Sequence, residues 1–173
     1  MKVIFGDCDG VLNATFTKET LYGYVFVMSS KVALLKQVID CCPGTKVVLS
    51  SSWRQGWNDL DEGLDTIDAK LFVGLRDKLR EHGVELMDYM PITDGGMNHR
   101  GEEIDRWLKS WKGKPVESFC ILDDLNGRYL CPYAGRLVRT SISQGLLQKH
   151  VKLAVEILNK PLIPDESAGL VLE

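Results

Sequence analysis

Short apolar runs alternate along this chain with stretches in which apolar residues recur at helical spacing, the pattern of a parallel sheet covered by helices. Lys2 to Phe5 reads as a short buried strand that runs straight into acidic residues. Between Thr15 and Met28, Phe16, Leu21, Tyr22, Tyr24, Val25, Phe26 and Val27 surround Lys18-Glu19-Thr20, and Gly23 allows a bend. Such aromatic and β-branched content predicts a β-hairpin. Ser29 or Ser30 then caps a helix with Val32, Leu35, Val38 and Ile39 on one face, stopped by Pro43-Gly44.

A second buried strand, Lys46 to Leu49, leads into Ser50-Ser51-Ser52-Trp53-Arg54. The acidic, glycine-containing stretch Gln55 to Asp68 reads as a loop. Ala69 to His82 is predicted helical, with Leu71, Phe72, Leu75 and Leu79 in phase and Gly83 at its end. Val84 to Leu86 reads as a short strand, and Pro91 to Asn98, with Asp94-Gly95-Gly96, as a loop. Gly101 to Trp111 is a helix with Ile104, Trp107, Leu108 and Trp111 on one face. Ser118 to Leu122 is a third apolar strand, ending on Asp123-Asp124; Leu137 to Thr140 is a fourth, and Leu146 to Leu158 a closing helix. Residues 1–160 are expected to form one domain, with 161–173 as a tail.

Composition narrows the class further. At 173 residues and 45% hydrophobic, with a net charge of −3, the chain affords a full core and is not disordered. No apolar run approaches the roughly 18 to 20 residues that span a bilayer. The opening MKVIFGDCDG lacks the apolar core and cleavage site of a signal peptide. Cys8, Cys41, Cys42, Cys120 and Cys131 contain no C-x-x-C spacing, which argues against structural zinc and for a reducing compartment. Cys8 and Cys120 read as buried, inert thiols. The expectation is a cytoplasmic chain without a membrane partner. A sequence pI near 5.7 argues against a broad nucleic-acid-binding surface. It leaves room for a local basic pocket built from Arg54, Arg100, Arg128, Arg136 or Arg139.

In open α/β sheets ligands bind at the carboxyl ends of the strands, so the residues found there should converge. Here they are Asp7 and Asp9 after the first strand, Ser50 to Ser52 after the second, and Asp123 and Asp124 after the third. Aspartates also serve as helix caps and turn formers. Two acidic strand ends around a serine-rich one favour a site instead. Four carboxylates together repel unless a cation joins them, and an all-oxygen donor set points to magnesium.

The run Asp7-Cys8-Asp9-Gly10-Val11-Leu12-Asn13 after an apolar strand resembles the first motif, D-x-D-G-[TV]-L, of the haloacid dehalogenase-like (HAD) phosphohydrolases. Ser50 at the end of Val47-Val48-Leu49 is similar to the family's second motif, and Asp123-Asp124 to its acidic fourth motif. Val48 to Arg54 (VLSSSWR) together with Leu122-Asp123-Asp124 looks closest to the HAD domains of Swiss Army Knife RNA-repair proteins. The third motif is usually a lysine; here Arg100 stands at the start of a helix, with Lys109, Lys112 and Lys114 less conveniently placed. His99 beside it reads as a solvated loop residue.

The resemblance implies a Rossmann-like HAD fold of parallel strands flanked by helices and a Mg2+-dependent phosphatase acting on a phosphate monoester. Asp7 would be the nucleophile forming an aspartyl-phosphate. Asp9 would be the general acid and then base, both side chains entering one pocket from an extended segment that Gly10 then turns. Magnesium would be held by Asp7, the Asp9 carbonyl and Asp124, with Asp123 a ligand or a supporting partner. Ser50, the Ser51 amide and Arg100 would hold the phosphoryl oxygens. Arg54 is a candidate contact to substrate phosphate or to a neighbouring carboxylate, the alternative being a surface salt bridge. Trp107 and Trp111 read as core, whereas Trp53 and Trp57 flank the site. The intervals between motifs leave no room for a large cap domain, so the Tyr22–Phe26 hairpin would be the only flap over an open site. Such a site would admit a nucleic-acid end or a phosphoprotein as well as a nucleotide or sugar phosphate. Phosphotransferase or phosphomutase chemistry on the same aspartate, and a non-catalytic binding module, are the rival readings.

Overall fold

Apolar residues on alternate positions of a strand reach opposite faces, and strands apolar on both faces must be covered twice. That requirement organises the chain, seen here in a computed structural model that describes residues 1–91 and 99–162. The strands are β1 (Lys2–Gly6), β4 (Lys46–Leu49), β5 (Leu86–Tyr89), β6 (Ser118–Asp123) and β7 (Leu137–Arg139). They form one parallel sheet in the order β5-β4-β1-β6-β7. A separate two-stranded hairpin consists of β2 (Thr20–Leu21) and β3 (Tyr24–Val25). The helices are α1 (Ser29–Cys41), α2 (Arg54–Asp61), α3 (Ile67–Glu81), α4 (Arg100–Ser110) and α5 (Gln148–Leu158).

One sheet face, with Ile4, Val47, Leu49, Cys120 and Leu122, packs against Val32, Leu35 and Val38 of α1, Phe72, Leu75 and Leu79 of α3, and Val151 and Ala154 of α5. The other, with Val3, Phe5, Val48, Phe119 and Ile121, packs against Ile104, Trp107 and Leu108 of α4. The Phe5 ring meets Trp107 and Phe119 edge-on at centroid distances of 5.3 and 5.5 Å. Trp107 is buried, as expected; Trp111 caps α4 and stacks on Trp107 from a partly exposed position. The sequence order turns back across the sheet at β1, which has β4 on one side and β6 on the other. The strands that carry the three motifs are therefore neighbours, at a topological switch point.

The expected parallel sheet, its flanking helices and the small hairpin are all present. No helix among the described residues is long and apolar enough to cross a membrane.

Residues 55–68, expected as a loop, instead hold helix α2 and the first two residues of α3. Polarity hid this helix: Gln55 bonds Asp59 and Asn58 bonds Glu62, each one turn on, while Trp57 stacks on Phe72 at 5.0 Å. Gly56 was part of the loop signal but serves close packing. A Cβ there would stand 2.0 Å from the backbone carbonyl oxygen of Asp68.

Other boundaries move by a few residues. Strand β5 begins at Leu86 rather than Val84, because Val84 is spent on closing α3, its amide bonding the Leu79 carbonyl at 2.9 Å. Helix α5 begins at Gln148, with Leu146 buried ahead of it. The hairpin pairs only four residues, since Tyr22 (φ 52°) and Gly23 (φ 85°) form a two-residue left-handed turn. Leu21 lies against Gly74 of α3, where a Cβ would come within 2.3 Å of its Cδ2. The loop expected around Asp94-Gly95-Gly96 and the tail beyond Leu162 lie outside the described residues.

Gly56→Ala should destabilise the fold despite alanine's better helix propensity, because the clash is with backbone. A loss of about 2 kcal/mol would lower the melting temperature by about 4 to 8 °C, read by thermal denaturation.

Candidate active site

Each motif enters the site as a backbone ladder continues past the end of its strand. The Asp7 amide bonds the Leu122 carbonyl at 3.0 Å, the Ser50 amide bonds the Gly6 carbonyl at 2.9 Å, and the Thr140 amide bonds the Asp123 carbonyl at 3.0 Å. These bonds hold Asp7, Ser50 and Asp123 side by side on adjacent strands. Carboxylate oxygens of Asp7, Asp123 and Asp124 lie within 4.8 Å of one another. Asp123 is fully buried, Asp7 is 8% exposed and Asp124 is half-buried.

Burial pushes the Asp7 carboxyl up to about 7, helped by the charge of Asp123. Arg100, the Ser51 hydroxyl and the Cys8 amide, which donates to Asp7 Oδ1 at 2.7 Å, work in the opposite direction. Asp123 is raised by burial against the pull of Arg100. Asp124 is also raised by burial, with Asp9 adding to it. Cys8, between two acids, is held as a neutral thiol by burial and by the charges of Asp7 and Asp9.

The turn that follows β1 differs from the extended segment expected for Asp9. The chain folds at once: the Cys8 carbonyl accepts from the Val11, Leu12 and Asn13 amides at 3.2, 2.8 and 3.2 Å. Asp9 therefore reaches the site from a turn. Its side chain is not part of the three-carboxylate group; Asn13 Nδ2 donates to Asp9 Oδ1 at 2.7 Å and Trp53 Nε1 to Oδ2 at 3.0 Å. Gly10 is needed on two counts. Its φ is +67°, and a Cβ would lie 2.6 Å from Asp124 Oδ2.

The basic residues separate into two roles. Arg100, 6% exposed at the first turn of α4, sets Nε 3.6 Å from Asp123 Oδ2, while its Nε and Nη1 make no hydrogen bond among the described residues. Arg54 is not a surface residue. It is buried, with Nη1 donating to the carbonyls of Ser50 (2.9 Å) and Ser51 (3.1 Å) and Nη2 paired with Glu103 at 2.6 Å. It braces the serine turn against α4, one turn after Arg100. Of the serines, Ser51 is the one whose hydroxyl bonds Asp7. Ser50 is fully buried and its hydroxyl has no partner. His99 is exposed, with Nδ1 3.0 Å from Glu102.

The donor set suits a hard divalent cation. Three carboxylates converge, two of them buried, and Asp123 Oδ2 has no hydrogen-bond partner. Beside them a cleft of about 600 Å3 opens, lined by Asp9, Tyr24, Val25, Ser52, Trp53, Gln55, Asp68 and Leu71. Sequence reasoning put Trp53 near the site but missed its bond to Asp9. It missed Gln55 as a cleft wall because α2 was not foreseen, and it missed Asp68 and Leu71 of α3.

A family model described as the HAD domain in Swiss Army Knife RNA repair proteins matches residues 3–151. No curated protein and no solved structure matches the chain.

In buffer free of divalent cations the folded protein holds the Asp7 proton up to about pH 7, whereas the unfolded chain loses it near the ordinary value of 3.8. Stability from this group is thus full below about pH 4 and declines as pH rises towards about 7. Asp7→Asn should melt at the same temperature as the parent at low pH and several degrees higher at mildly alkaline pH. Paired melting curves across pH give the comparison.

Proposed function

The chain belongs to the family of HAD domains found in Swiss Army Knife RNA repair proteins, and from that membership we propose a Mg2+-dependent phosphatase that hydrolyses a phosphate monoester through an aspartyl-phosphate on Asp7. The observation that carries this reading is the meeting of Asp7 with Asp123 and Asp124 beside Arg100, whose Nε pairs with Asp123 and whose Nη1 has no hydrogen-bond partner among the described residues.

Asp7, Asp123 and Asp124, with the Asp9 carbonyl, would hold Mg2+, which when bound offsets the charge of carboxylates and phosphate. The remaining work falls to side chains. An Asp7 oxygen attacks phosphorus as the bond from phosphorus to the ester oxygen breaks, and the Asp9 carboxyl gives its proton to that leaving oxygen. Water then attacks phosphorus, Asp9 takes its proton, and the acyl-phosphate bond breaks to return the Asp7 carboxylate and free phosphate. Arg100 and the serine turn face the charge on the phosphoryl oxygens, with Ser51 also orienting Asp7. Arg54 serves this turn through the Ser50 and Ser51 carbonyls.

The organic part of the ester would occupy the cleft next to Asp9. The hairpin is the flap on that side, and only Tyr24 and Val25 of it reach the cleft wall. An accessible cleft and the RNA repair setting in which such domains are described together support a phosphorylated nucleic-acid end as substrate. The free cysteines are in keeping with a reducing compartment such as the cytoplasm.

Phosphate release measured over phosphorylated oligonucleotides, nucleotides and sugar phosphates, with Mg2+ and with chelator, tests the proposal. Release should require Mg2+, be greatest on an oligonucleotide end, and fall to background in Asp7→Asn while that variant still binds the ester. Transfer of phosphate to an added alcohol in place of water would favour a phosphotransferase. Binding without release by the unaltered chain would favour a non-catalytic module.

A further inference from the structure

Among the described residues, Asp9 is the one acid of the site whose two oxygens are both claimed by neutral N–H donors. Trp53 Nε1 donates to Oδ2 at 3.0 Å and Asn13 Nδ2 to Oδ1 at 2.7 Å. A carboxyl group has about four acceptor positions, so two such bonds fix its plane and leave a position on it for the transferable proton. Asn13 is itself fixed, 4% exposed, with Oδ1 accepting the Gly10 amide at 3.0 Å. Trp53 is fixed on its other side, where its ring lies 5.9 Å from that of Phe26, a buried residue at the root of the hairpin. The same indole forms part of the cleft wall.

We propose that Trp53 is a positioning residue for the leaving-group proton transfer: its indole N–H, with the Asn13 amide opposite, aims the Asp9 carboxyl at the ester oxygen, and its ring carries that alignment to the cleft wall and the hairpin root. The proposal rests on the phosphatase reading above and on Asp9 as its general acid. An arrangement made only to fill space would need the ring but not its N–H. A substrate group seated in the cleft presses on the ring that holds the acid, so occupancy and acid alignment are linked through one side chain.

The step at issue is the transfer of the Asp9 proton to the ester oxygen as its bond to phosphorus breaks. An alkyl ester, whose alcohol is a poor leaving group, depends on that proton. 4-Nitrophenyl phosphate, which releases a stable phenolate, depends on it far less. The test compares kcat/KM for both esters, which reports events up to departure of the alcohol, in the unaltered chain and in Trp53→Phe. The expected result is a fall of about tenfold to a hundredfold on the alkyl ester and of less than about threefold on the nitrophenyl ester. If Trp53→Phe does not fold, Asn13→Ala removes the other donor without adding a charge beside Asp9, and carries the same expectation. Equal losses on both esters, or no loss on either, would overturn the inference and leave the phosphatase reading intact. Failure of the unaltered chain to hydrolyse either ester with Mg2+ would overturn the reading itself and the inference with it.

Discussion

Three carboxylates within 4.8 Å of one another, two of them buried, cannot all stay ionised unless positive charge stands among them. Much around the switch point is a response to that constraint. Arg100 is buried against Asp123, its Nη1 without a hydrogen-bond partner among the described residues. The Cys8 amide and Ser51 hydroxyl turn towards Asp7, and the Leu125 amide towards Asp123. Even so, burial wins and all three acids are shifted upward. The site is thus short of positive charge by construction.

The fold sustains this arrangement by making its scaffold indifferent to it. Phe5, Phe119 and Ile121 on one face and Ile4, Leu49 and Leu122 on the other are buried with no polar demands of their own. The ladder bonds that extend from Gly6, Leu122 and Asp123 fix the acids by main chain alone. Arg54 adds a side-chain brace, joining the Ser50 and Ser51 carbonyls to Glu103 of α4. The serine turn and the helix that bears Arg100 are therefore one mechanical unit, and a shift of either would be felt by Asp7 and Asp123 together.

Much of this was legible in the sequence, where the signal was apolar periodicity or a motif at a strand end. The strands carrying Asp7, Ser50 and Asp123 were readable because they are short, fully apolar and followed by polar residues. Arg100 was readable as the cation at the head of a helix. What escaped depended on partners distant in sequence. Helix α2 carries little apolar pattern of its own and is recognisable only once Trp57 has Phe72 to stack on. The burial of Arg54 follows from Glu103, 49 residues away. The turn at Cys8 displaced the simple alternation expected for Asp7 and Asp9, since three amides converge on one carbonyl there. The bond from Trp53 to Asp9 spans 44 residues and has no local signature.

The hairpin is tied to the rest of the molecule by few contacts. Leu21 sits in the dent that Gly74 leaves in α3, Phe26 meets Trp53, and Tyr22 and Gly23 turn in open solvent with Tyr22 61% exposed. Extra residues spliced into that tip would meet no neighbour, and loop closure grows by only about 0.6 kcal/mol for each doubling of loop length. The hairpin is thus an annexe whose size can change while the foundations stay put. Changes of length are most easily accommodated there, outside the framework that aligns Asp7, Asp123 and Asp124.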